Sequence, residues 1–101
     1  MKTKGISIQQ FKHQNEYYSI RTTEHAMKRM IERGVSEDTI KKAIHAIKPQ
    51  LKQIKQEQTL IFIKQIETAI IIAFKLNKIN IITAFKNSKP FAKEGTNKII
   101  I

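Results

Sequence analysis

The sequence predicts an α+β domain, with two helices in its N-terminal half packed on an antiparallel sheet of three to five strands. Three observations lead there. Apolar residues recur at helical spacing between residues 24 and 47. After Pro49 the pattern changes to short β-branched runs, and two-residue polar breaks divide those runs at hairpin distance. With 101 residues, 41% of them hydrophobic, the chain has the material for one domain over 1–101 and one modest core.

Taken in order, residues 1–15 are polar and admit either a short strand from Ile6 to Ile8 or a turn of helix near Phe11. Tyr17 to Ile20 has the aromatic and β-branched content of a strand. Thr22 or Thr23 then caps a helix from about Glu24 to Arg33, with Glu24 near the positive end of its dipole. Ala26, Met27, Met30 and Ile31 form its apolar stripe, and Gly34 is its left-handed stop. Ser36 caps a second helix that buries Ile40, Ala43, Ile44 and Ile47 and ends at Pro49. His45, beside Lys41 and Lys42, reads as a surface residue of that helix.

The stretch Gln50 to Gln58 either extends the helical region or begins a strand. Leu60 to Ile66, Ala69 to Leu76 and Ile79 to Lys86 then form a three-stranded meander, turning at Glu67-Thr68 and Asn77-Lys78. Alternation places Thr83 and Phe85 on the face of Ile81, a core face, with Lys86 opposite. The tail, 87–101, contains Pro90 and Gly95 and reads as a loop, with Lys98 to Ile101 able to add an edge strand.

Several classes of function are set aside by composition. The chain has no Cys, so neither disulfides nor thiolate metal sites arise. Its apolar runs are shorter than the ~20 residues of a membrane-crossing helix, and its first twenty residues lack an apolar leader. A cytoplasmic site of action is expected, with no membrane partner. None of the three glycines opens a phosphate loop, and His13, His25 and His45 stand apart from carboxylate pairs, so no metal or other cofactor is expected. Nineteen Lys and Arg against eight Asp and Glu leave a net charge of +11, which attracts a polyanion through counterion release. The competing reading is that scattered lysines serve solubility.

His25 stands in the first turn of the first helix, with Lys28 three and Arg29 four residues on. Cations beside an imidazole favour its neutral form, the form a general base needs. Arginine holds phosphate by two parallel hydrogen bonds. A base and a cation are the minimum for cleaving RNA through its 2′-hydroxyl. The plainer alternative packs His25 at the strand-to-helix junction and leaves Arg29 solvated. Tyr17 and Tyr18 face opposite ways, so one is free to stack on a base, a role given to Tyr18.

The run from Thr23 to Met30, continued by Glu32-Arg33-Gly34-Val35-Ser36 and later by Ile81-Ile82-Thr83-Ala84-Phe85, resembles small bacterial ribonuclease-toxin domains of the barnase, colicin and RelE type. The resemblance covers about residues 16–86. It implies two N-terminal helices on a twisted antiparallel sheet, and a metal-independent RNA-cleaving site on the sheet's concave side. His25 matches the motif histidine, Arg29 and Arg33 its arginines, and Thr83 the strand threonine, while Phe85 stands where some members carry Tyr.

On this reading His25, Arg29 and Thr83 are catalytic, and Lys28, Arg33, Lys86 and Tyr18 contact RNA, either mRNA or tRNA. An acidic inhibitor, antitoxin or immunity protein is implied as partner. The alternative is a non-catalytic RNA- or protein-binding module, including a phage or accessory regulator, on the same scaffold.

Overall fold

The computed structural model describes residues 5–54, 58–88, 90 and 96–101. Its first element is a hairpin. Half-buried and exposed side chains alternate along β1 (Gly5–His13) except at Ile8-Gln9, where the register shifts, and the chain returns as β2 (Glu16–Thr23). The turn between them is Gln14-Asn15, both at positive φ (51° and 66°), the twist that a two-residue hairpin loop needs.

Thr23 ends β2 and caps α1 (Glu24–Glu32), its side chain accepting the Ala26 N–H at 3.1 Å. Gly34 (φ 81°) closes the helix. Its N–H reaches the Ile31 carbonyl at 3.0 Å, and the N–H of the buried Val35 reaches that of Met30 at 2.9 Å, so two carbonyls left over at the helix end are satisfied. Ser36 caps α2 (Glu37–Ala46) through the Thr39 N–H. A 3₁₀ turn at Lys48–Gln50 then leads into turn residues that bury Leu51 and Ile54. Residues 55–57 of the ambiguous polar stretch lie outside the described residues.

Glycine at 34 is required by backbone rather than by space. A Cβ there would lie 3.5 Å from Cε of Lys86, an ordinary contact, but an L side chain at that φ costs about 1–2 kcal/mol. Gly34→Ala is therefore expected to lower the urea midpoint by that equivalent without changing the slope; an unchanged midpoint would show that the turn relaxes at no cost.

The second half supplies β3 (Thr59–Ile63), β4 (Thr68–Lys75), β5 (Lys78–Lys86) and β6 (Asn97–Ile100). A 3₁₀ turn at Lys64–Ile66 and Glu67 (φ 46°) join β3 to β4, and Leu76-Asn77 joins β4 to β5. The strand order is β1-β2-β5-β4-β3-β6. The ladders β1–β2, β5–β4 and β4–β3 are antiparallel, whereas β2–β5 and β3–β6 are parallel.

This corrects the expected architecture of two N-terminal helices on an antiparallel sheet of three to five strands. The sheet has six strands and is mixed, and the helices sit mid-chain, after β1 and β2. The crossover through both helices is the reason. It carries the chain from the end of β2 back to the opposite end of the sheet, so β3 starts parallel to β2, and the antiparallel turns through β4 bring β5 in parallel beside β2. The tail contributes a parallel edge strand at Asn97–Ile100, while its residues 89 and 91–95 lie outside the described residues.

One face of the sheet carries both helices. Met27 and Met30 of α1, and Ile40, Ala43, Ile44 and Ile47 of α2, close over Tyr18, Ile20, Ile61, Ile70, Ile72 and Ile79. Ile31, expected in the α1 stripe, is instead exposed. On the opposite face Leu60, Phe62 and Ala69 form a smaller cluster with Ile71 and Phe85. A bulge explains Phe85. Ile72 pairs with Ile81 but Ile71 pairs with Thr83, so Ile82 is the extra residue. Beyond it Thr83 and Phe85 share the face of Ile71, opposite Ile81, reversing the side that simple alternation gives.

Candidate functional site

The C-terminal end of α1 meets the open edge of β5. β2 pairs with β5 only from Lys78 to Asn80, because β2 turns into α1 at Thr23. Side chains serve the β5 edge beyond that ladder. Thr22 Oγ1 donates to the Ile81 carbonyl at 2.9 Å in a buried setting. Arg33 Nη1 donates to Thr83 Oγ1 at 3.0 Å and reaches the Ala84 carbonyl at 3.5 Å. Lys86 closes the group from the end of β5, its ammonium 3.9 Å from where a Gly34 Cβ would stand. That places a cation at the negative end of the α1 dipole.

Arg29 lies one turn before Arg33, and His25 one turn before that, so the three follow one side of α1; all are exposed. Lys28 projects about 100° away. It belongs to the β1 flank, where Ile6, Met27 and Ile31 form an apolar groove edged by Glu24, Lys28 and Glu32. Charge is therefore divided across the helix, with carboxylates on the β1 flank and guanidinium groups toward β5. Among the described residues no group of three His, Cys, Asp or Glu is placed to hold a metal ion.

The residues singled out in the sequence thus fall into separate places. Arg33, Thr83 and Lys86 come together, with Arg29 and His25 on successive turns beside them. Lys28 is on the other flank. Tyr18 is 2% exposed; its ring stacks on Phe11 with centroids 5.4 Å apart, and its hydroxyl donates to Glu16 Oε2 at 2.9 Å. That ring has no face left for a base, whereas Tyr17 is 71% exposed. Arg21 and Tyr17, on the helix-free face of β2, were legible in the Tyr17-Ser19-Arg21 alternation once the strand is carried to Thr23.

His45 also departs from its surface reading. Its Nε2 donates to Gln9 Oε1 at 2.8 Å and its ring leans on Phe11 at 5.2 Å, because β1 covers this side of α2. Burial first, and the Lys48 ammonium second, hold its pKa below the ordinary 6.5. The folded chain therefore favours neutral imidazole, and on acidification the unfolded chain takes up the proton first. This contribution to stability is intact above pH 6.5 and is lost as pH falls from there through the lower folded value. Melting temperatures from pH 8 to pH 5 are expected to fall in that window, and less steeply for His45→Gln. Parallel curves for the two proteins would remove His45 as the cause.

Among the described residues no helix is long and apolar enough to cross a membrane. Comparison with protein-family models, with characterised proteins and with solved structures gives no match.

Proposed function

We propose that this chain is a metal-independent RNA endonuclease of bacterial toxin type, acting in the cytoplasm at the junction of α1 with the edge of β5. The observation that carries the reading is the Arg33–Thr83 contact at 3.0 Å, which joins residues 50 positions apart from the two motif segments. Lys86 closes the same corner beside Gly34, and Arg29 and His25 lie one and two turns back along α1, roughly 6 and 12 Å of helix axis from Arg33. In the proposed reaction His25 takes the proton of a ribose 2′-hydroxyl as that oxygen attacks phosphorus. The P–O5′ bond breaks, O5′ is protonated by water, and a 2′,3′-cyclic phosphate remains. Arg29 and Lys86 take up the charge gathering on the phosphorane oxygens, and Thr83, oriented by Arg33, positions the strand.

RNA, mRNA or tRNA, is the substrate on this reading, and the net charge of +11 suits an acidic inhibitor, antitoxin or immunity protein. Incubation of the purified protein with total RNA in chelator tests it. Cleavage products ending in cyclic phosphate are expected, and a deoxyribose at the cut position blocks the cut. Tight RNA binding without cleavage would favour the non-catalytic module instead, a reading supported by the bond from Arg33 to the Ala84 carbonyl, which gives that side chain a structural use.

A further inference from the structure

The helices leave one side of the β1–β2–β5 half of the sheet uncovered, and the pairing register shows what it presents. Lys12 stands opposite Tyr17, and Ser7 opposite Arg21. Arg21 stands opposite Asn80, Asn80 opposite Ala73, and Lys78 opposite Lys75. Directly opposed residues point to one side of a sheet, so Lys12, Tyr17, Arg21, Lys75, Lys78 and Asn80 share this face. Among the described residues of these paired strands no Asp or Glu falls on this face. The carboxylate of Glu16, next in sequence, takes the Tyr18 hydroxyl on the helix side.

Tyr17 is the aromatic residue here, 71% exposed, with Lys12 Nζ 5.5 Å from its ring centroid. An exposed lysine held by a weak cation–π contact yields that place readily. The face continues toward the β5 edge. Past the bulge Thr83 shares the side of Ile71, so the surface that begins at Tyr17 runs along β5 to the residue held by Arg33, roughly 16 Å for the five steps from Lys78 to Thr83.

We infer that this face is a track for single-stranded RNA, with Tyr17 stacking on an unpaired base and Lys12, Arg21 and Lys78 contacting the flanking phosphates. The inference rests on RNA being the partner and deepens it by naming the strandedness of the substrate and the surface that feeds the site. Its chemistry is the pairing of an exposed ring with cations along one face, which suits a chain of bases with accessible π faces. A duplex buries those faces, and an acidic protein needs the cations but not the ring.

The test uses a labelled oligouridylate in fluorescence anisotropy, with His25→Ala as background so that the probe stays intact; His25 lies outside this face. Tyr17→Ala is expected to weaken binding about tenfold, and Tyr17→Phe to bind like the parent. Replacing Lys12, Arg21 and Lys78 together by Gln is expected to lower the log–log salt slope by about two, at about 0.7 per single-strand phosphate contact. Duplex RNA of equal length is expected to compete poorly. Melting curves confirm that each variant folds. Binding unchanged in Tyr17→Ala, an unchanged slope in the triple variant, or equal affinity for duplex would overturn the track. Cleavage separates the two readings: a wild-type protein that cuts RNA while Tyr17→Ala binds normally sinks the track alone, and Tyr17-dependent binding without any cleavage sinks the nuclease alone.

Discussion

Replacing His25 with alanine is expected to slow RNA cleavage by about 10²-fold or more, equivalent to roughly 3 kcal/mol of transition-state stabilisation. The side chain stands exposed in the first turn of α1, and the cap of that helix comes from Thr23 rather than from the imidazole. Its removal therefore takes away a proton carrier without opening a cavity, so the melting temperature should stay near that of the parent. Arg29→Ala should also slow the reaction, since it removes a cation one turn away on an equally exposed side chain. Single-turnover rates on one defined oligonucleotide measure both. A folded His25→Ala protein that cuts at the parental rate would remove His25 from the chemistry.

Ile70→Ala is expected to destabilise the fold by about 2–5 kcal/mol, a large share of the 5–15 kcal/mol typical of a domain. Ile70 is fully buried on β4, directly opposite Ile61 on one side and Ala84 on the other, beneath the helices. Truncation leaves a cavity that the paired strands cannot close. The melting temperature should fall by at least about 10 °C. Ile71 makes the comparison informative, because it faces the smaller cluster on the other side and is only half-buried. Ile71→Ala should cost clearly less; an equal or larger cost there would show that the helix-free cluster, and not the helix-covered core, carries the stability.

What could be read from the chain depended on whether the cause was local. Both helices lie within a residue of their expected bounds because Thr23, Ser36, Gly34 and Pro49 act on the backbone next to them. The β-branched runs of the meander declare themselves in the same way. β1 does so only in part, because an edge strand with half-buried Ile6, Ile8 and Phe11 needs few apolar residues; the sequence admits a short strand from Ile6 to Ile8 or a helical turn near Phe11, and without the strand's full length His45 reads as a surface group. The parallel β2–β5 ladder is invisible to periodicity, which reports which side a residue faces but not which strand lies beside it. A single bulge was enough to move Thr83 and Phe85 to the other face. The site was legible in pieces only: the α1 residues and the Thr83 strand each carry a pattern, but the bond between Arg33 and Thr83 is a product of the fold.

The narrow β2–β5 junction also bears on how the chain reaches its native state. The β1–β2 hairpin and the β3–β4–β5 meander each close over short loops, events of microseconds. Across the seam between them the ladder has three registered pairs, supported by the Ser19 N–H on the Asn77 carbonyl and the Thr22 hydroxyl on the Ile81 carbonyl. The last of these joins residues 59 positions apart, a closure whose entropy costs on the order of 4 kcal/mol. On that argument the seam is expected to close last, and until it does both β2 and β5 present a bare strand edge. Two chains paused at that stage have complementary edges to exchange, so refolding at high concentration is expected to yield a domain-swapped dimer, with the meander of one chain docked on the hairpin of the other.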